Sequence, residues 1–488
     1  MKNENLKNKA VTGVMWTAIQ KYSTMGAQFV AGIILARLLT PEDYGCVGLL
    51  AIFMVVAGAL QDAGFGSALI QKKHPTNMDY STVFFWNLGV SAIVYALLYV
   101  SAPWIASFYH IPSLYPVFRV QALVLFTGAL AMVQGNILRK QLRFKEVSII
   151  NLISSFVSII TTIILAYHGF GIWALVAQGI VASLISLMSL WIVSGWRPSF
   201  VFSKASFREL FSFGFYMCLT RSLSDLSKEL QSLLIGRFYN PATLGYYSKA
   251  RSMERMSAYS ISQVMTSVTY PFYAKVQDDL ISLQNMIKRF TSSIAYVTFP
   301  LMIALFLVAK PLFVLLYSDR WLPSVPYFQA LCIGGIPICL QAVNTQTIAA
   351  IGKSKVMFHW RLVKLAISLL LMFVGLYVYG IWGLVIGVII NTYVAYLINA
   401  GLVSHYIGYK LGRQLLDLIP ILVVSVIAGF VAYFIGRFFS VGFYIDGLIK
   451  FLVFVSIYTV SSYVFRLEAF EYFKTLMPMV LSKFRKHK

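Results

Sequence analysis

Acidic side chains are scarce in this sequence: Asp and Glu together number 17 in 488 residues, against 40 Lys and Arg. Charge of either sign is thin, at 12% of residues, while 59% are hydrophobic. A soluble core of this length would need far more polar surface, so the composition excludes a globular soluble enzyme and points to a polytopic membrane protein. No connection between apolar runs is long enough for a separate soluble domain. Catalytic motifs are missing too. There is no GxxxxGK[ST] loop, no HExxH, no GxSxG and no acidic metal cluster, which argues against ATP hydrolysis within the chain and against hydrolytic catalysis of a recognised kind. The four cysteines, Cys46, Cys218, Cys332 and Cys339, show no CxxC or Cys/His spacing and read as small buried hydrophobes rather than metal ligands. The six histidines never pair at metal spacing and read as interfacial anchors. No metal and no cofactor is expected.

What is present is a succession of apolar runs about 20 residues long or longer. The fold class is all-α, with about fourteen transmembrane helices near 11–36, 42–61, 80–108, 116–138, 147–168, 170–195, 207–238, 242–273, 290–318, 323–351, 356–378, 380–404, 414–436 and 447–465. The basic N-terminal stretch leads into a full-length span without a small-residue cleavage site, so no removable signal is expected. Alternate connections carry the positive charge. One set, from Lys2, Lys7 and Lys9 to the basic tail after Arg466, holds 25 of the 40 basic residues; the opposite set holds seven. The positive-inside rule makes the first set cytoplasmic, with both termini inside and an even number of spans. The net charge of +23 therefore reads as membrane topology and not as a nucleic-acid footprint.

The chain also repeats itself. A shift of 200 lays Arg37-Leu-Leu-Thr-Pro41-Glu-Asp-Tyr-Gly45 on Arg237-Phe-Tyr-Asn-Pro241-Ala-Thr-Leu-Gly245, and puts Lys21 on Arg221. Independently, Gly171-Ile-Trp-Ala-Leu-Val176 recurs as Gly380-Ile-Trp-Gly-Leu-Val385. Both halves open with a span running from inside to outside, which implies a parallel pseudo-repeat of two six-helix lobes. The expected boundaries are 1–204 for the N-terminal lobe, 205–408 for the C-terminal lobe, and 409–488 for two additional helices with a basic cytoplasmic tail.

Charges inside spans are the candidate site, because a charge near the bilayer centre is expensive and normally lines a water-filled cavity or pairs within a bundle. Arg221, Asp225, Lys228 and Glu229 fall within about 100° on one helix. Lys21 lies about ten residues into the first span, about 15 Å deep, with Thr17, Thr24 and Gln28 on its face. Arg251 and Arg255 share a face with Ser248, Tyr259, Ser262 and Thr266, and Glu254 lies beside it, placed to neutralise one arginine. Arg361 and Lys364 form an i,i+3 pair that either lines the cavity or reaches the headgroups. Lys21 either pairs with Asp225 or Glu229 or meets an anionic substrate. The surplus of cations selects an anionic ligand bearing phosphate or uronate, for which the guanidinium fork is well shaped. Pro300 and Pro337 fall inside spans and are expected to bend them. Residues 62–73 read as an amphipathic connection lying along the interface.

Three stretches carry a resemblance: Leu35-Ala-Arg37-Leu-Leu-Thr-Pro41-Glu-Asp-Tyr-Gly45; Asp62-x-Gly64 leading to Ile70-Gln71-Lys72-Lys73; and Tyr270-Pro271-Phe-Tyr-Ala-Lys275-Val-Gln-Asp278-Asp279. Together the chain resembles the polysaccharide exporters (Wzx-type flippases) of the MOP superfamily, nearest to the colanic- and teichuronic-acid members. The resemblance implies a transporter, not an enzyme. It would move an undecaprenyl-pyrophosphate-linked, anionic oligosaccharide across the bacterial cytoplasmic membrane by alternating access, among membrane lipids and polysaccharide-assembly proteins. Asp225 and Glu229 are the candidates for H+ or Na+ coupling. The rival readings are a lipid II flippase, a multidrug/cation antiporter, and, further off, a membrane polymerase or acyltransferase.

Overall fold

The computed structural model describes residues 2–438 and 442–472; within its helices several side chains, notably those of 2–11, 219–228 and 263–268, lie outside that description. In order the helices are α1 (Lys2–Leu38), α2 (Pro41–Asp62), α3 (Phe65–Gln71), α4 (Asn77–Tyr109), α5 (Leu114–Gln121), α6 (Val124–Lys140), α7 (Phe144–Tyr167), α8 (Ile172–Ser194), α9 (Lys204–Phe238), α10 (Pro241–Lys275), α11 (Leu280–Leu307), α12 (Ala309–Tyr317), α13 (Ser324–Ala350), α14 (Ser354–Ile407), α15 (Leu411–Phe438) and α16 (Phe443–Val464). Among the described residues, ten helices are long and apolar enough to cross a membrane, with α5 and α6 serving as one of them. The long helices α1, α9 and α10 fall outside this set, and they are the ones that carry Lys21, Arg221, Lys228, Arg251 and Arg255.

One of the ten, α14, has 54 residues and is not straight. Tyr379 and Gly380 leave helical geometry, and a Cβ added at Gly375 would stand 2.2 Å from the Gly383 carbonyl oxygen. Those residues would be about 12 Å apart on a continuous helix. The chain therefore doubles back into two antiparallel limbs whose backbones touch through glycine.

Gly380 makes this turn at φ +59°, ψ −139°, and Gly171, at the junction of α7 and α8, adopts φ +52°, ψ −129°. The two Gly-Ile-Trp copies found by sequence thus form the same backbone turn. It lies in a region almost closed to residues with a Cβ.

The other repeat is a mutual crossing. Thr40 and Asn240 accept hydrogen bonds from the backbone amides of Asp43 and Thr243, so each caps the helix that Pro41 or Pro241 begins. One turn further in, a Cβ at Gly45 would lie 1.9 Å from the Pro241 carbonyl oxygen, and a Cβ at Gly245 1.9 Å from that of Pro41. The contact is reciprocal. Gly48 faces its own counterpart, Ser248, which places it near a local two-fold relation of α2 and α10. Small residues here let two backbones meet, as membrane helices require in the absence of a strong hydrophobic drive.

By contacts the chain forms two compact units, Met1–Ser248 and Lys249–Lys488. In the first, α1 packs on α7 and α9 packs on α2, α3 and α4. The α3 segment departs from the interfacial expectation. Phe65, Ala68 and Leu69 are buried with Val83, Val133, Ile137 and Leu210, because Phe65 is enclosed by the rings of Trp86, Phe207 and Phe211. Its end is tied electrostatically: the Lys72 ammonium donates to Asp79 at 3.0 Å and to Glu209 on α9 at 2.9 Å. Lys140 donates to the carbonyls of Leu69 and Ile70, satisfying the helix C-terminus.

In the second unit, α11 packs on α13 and α15, and α15 on α16. Lys288 bridges Glu468 at 2.7 Å and Asp417 at 3.5 Å, fastening α15 and the segment after α16 to α11. Both α11 and α13 continue as helix through Pro300 and Pro337. Cys46, Cys332 and Cys339 are buried, and among the described residues no disulfide forms.

Candidate functional site

Along its middle, α1 carries three stripes. Gly13, Ala31 and Leu35 are buried, the last two against Ile159, Ala166 and Ala174. Met15, Ile19, Tyr22, Val30 and Ile34 are exposed and apolar. Thr17, Lys21 and Gln28 are exposed and polar. At 100° per residue the two exposed stripes lie about 180° apart. The face bearing Lys21 is thus the one opposite the exposed apolar face of the same helix.

Glu229 also belongs to the first unit and is half-buried on α9. The side chains of Arg221, Asp225 and Lys228 on the same helix lie outside the described residues.

In the second unit the candidates separate by environment. Arg251 is half-buried and Arg255 exposed, whereas Ser262, expected on their face, is buried. Glu254 is 4% exposed. Arg361 is exposed on the first limb of α14. Its neighbour Lys364 is half-buried and donates to Asn399 Oδ1 on the second limb at 2.8 Å, an amide that disperses the charge between the two limbs.

Lys249 was not among the candidates from sequence. It is buried, its ammonium 4.2 Å from the centre of the Tyr317 ring and 5.4 Å from that of Trp321. Aromatic faces attract the cation through their ring quadrupoles. Tyr317 and Trp321 come from α12 and the turn after it, about 70 residues away in sequence, so no local spacing could have revealed the arrangement. Likewise the Lys72 bridge joins residues 137 positions apart.

A model of the polysaccharide biosynthesis protein family matches residues 34–326, more than half of the chain. The chain is 26% identical over 431 residues to the teichuronic acid biosynthesis protein TuaB of Bacillus subtilis, covering 88% of this chain and 89% of that protein. It is 22% identical over 444 residues to the lipopolysaccharide biosynthesis protein WzxC of Escherichia coli, covering 88% and 89%. Among solved structures, the lipid II flippase MurJ in an inward closed conformation superposes with a TM-score of 0.72 at 17% identity, over 93% of this chain and 99% of that one. An inward-facing multidrug MATE transporter of the MOP superfamily gives 0.59 at 16% identity, over 81% and 98%. These likenesses establish the fold, and the crossing of α2 and α10 that defines it here falls within the matched segment. With the family's model matched over residues 34–326, the chain belongs to the polysaccharide biosynthesis protein family.

Proposed function

We propose that this protein is a flippase that carries an anionic, lipid-linked oligosaccharide across the bacterial cytoplasmic membrane by alternating access, for export of a cell-surface polysaccharide. The family match and the relatives named for teichuronic acid and lipopolysaccharide biosynthesis support the polysaccharide part of this reading. The single observation that carries the anionic part is the polar stripe of α1. Lys21 is exposed on the side opposite the apolar one, and if α1 spans the membrane a cation there can meet a pyrophosphate or uronate without first being desolvated by lipid.

Arg251, Arg255 and Arg361, exposed or half-exposed on α10 and α14, are assigned the same role, with Arg221, Lys228 and Lys364 beside them. In this reading both termini are cytoplasmic. Fourteen spans arise if α1, α9 and α10 join the ten apolar helices and α14 counts twice, once for each limb.

The test is export of lipid-linked sugar in cells carrying Lys21→Glu or Lys21→Arg at matched protein levels. Charge reversal is expected to reduce export at least about tenfold, corresponding to about 1.4 kcal/mol or more lost from substrate binding, while arginine retains most of it. Normal export by Lys21→Glu would overturn the assignment.

A further inference from the structure

Glu254 is the one acidic side chain that the second unit encloses almost completely, at 4% exposure among the described residues. Its Oε1 accepts no hydrogen bond from the described residues. The carboxyl group lies against the bare face of Gly335 on α13, so close that a Cβ there would stand 3.1 Å from Oε1 and 3.0 Å from the Met302 sulfur on α11. The glycine makes room for it.

Leaving a carboxylate oxygen buried without a donor costs several kcal/mol, and the common escape is to take up a proton. The charged and titratable groups around Glu254 are Arg251 and Arg255 on its own helix and Cys332 and Cys339 on α13. From α11 it meets Met302, which does not titrate.

We propose that Glu254 is a proton-binding site inside the second unit, taking up and releasing one proton at its carboxyl oxygen. The ligand is a proton rather than an alkali ion: the side-chain atom that shares the face of Gly335 with Oε1 is the Met302 thioether sulfur, a poor ligand for a hard cation. A polar seam continues from it. Cys339 lies about one helical turn beyond Gly335 on α13, and its thiol donates to the Ala258 carbonyl at 3.2 Å, beside Ser262.

The proposal uses neither Asp225 nor Glu229, and it stands whatever the transported substrate is. Protein purified into liposomes is titrated from acidic to alkaline pH while infrared difference spectra record the carbonyl stretch of a protonated, weakly hydrogen-bonded carboxyl group. The expected result is one such band that disappears at high pH, is absent in Glu254→Gln and is displaced in frequency in Glu254→Asp. The absence of any such band in the wild type, or a titrating band that persists in Glu254→Gln, overturns the proposal. If Glu254→Gln does not fold, Glu254→Asp decides: a displaced band supports the site and an unmoved band overturns it. No substrate is needed, so failure of the export reading leaves this measurement intact.

Discussion

Replacing Gly45 by alanine puts a methyl carbon where the Pro241 carbonyl oxygen stands 1.9 Å away. Both partners are backbone, so no side chain can swing aside. Restoring a contact of about 3.4 Å requires α2 and α10 to part by about 1.5 Å at their crossing. Overpacking of this kind costs about 1–3 kcal/mol, and the upper end is expected where only rigid helices can yield. At about 1.4 kcal/mol per factor of ten, 3 kcal/mol lowers the folded-to-unfolded ratio by about two orders of magnitude. Gly245→Ala should cost the same, because its Cβ would meet Pro41 in the same way. The double variant should cost less than the sum, since parting the helices once relieves both clashes. Thermal unfolding of the purified protein in detergent, followed by tryptophan fluorescence, provides the readout. Gly26→Ala is the control: nothing lies within 4 Å of its Cβ, and alanine favours a helix by up to about 1 kcal/mol. Wild-type stability in Gly45→Ala, or a double variant as costly as both singles together, would refute the reciprocal crossing.

Three further outcomes can be checked in the same preparation. Gly171→Ala and Gly380→Ala should each lower stability by about 1–3 kcal/mol, and by similar amounts, because both glycines hold a positive-φ turn of one shape; unequal losses would break that equivalence. Lys72→Ala should cost about 1–3 kcal/mol by removing the cation from Asp79 Oδ1, on a side chain 2% exposed whose Oδ2 keeps its hydrogen bonds from Thr76, whereas Glu209→Ala, at a side chain 61% exposed, should cost less than about 1 kcal/mol; the reverse order would show that Glu209 is the principal partner. Burial opposes the Lys72 ammonium, but its hydrogen bonds to Glu209 and Asp79 outweigh this and hold its pKa above the ordinary lysine value. The contribution of Lys72 is therefore complete at neutral pH, so the stability gap between wild type and Lys72→Ala should narrow in strong alkali, as pH climbs through that raised value, and again in strong acid, where its carboxylate partners Asp79 and Glu209 take up protons.

Membrane residence, the all-helical class and the two repeats were readable from the chain alone, because they depend on periodic or local properties. Twenty apolar residues form a spanning helix whatever their neighbours. Pro, Gly and capping residues act within a turn of where they stand, so Thr40-Pro41 and Asn240-Pro241 each start a helix by local chemistry alone. What tertiary packing alone decided is which face of each helix is covered. The burial of Glu254 beside exposed Arg255, the cradling of Lys249 by Tyr317 and Trp321, and the sinking of Phe65 into the first unit all depend on side chains brought from dozens of positions away. Spacing along one helix gives angles between residues, and only the neighbouring helices determine which angle faces protein, lipid or water.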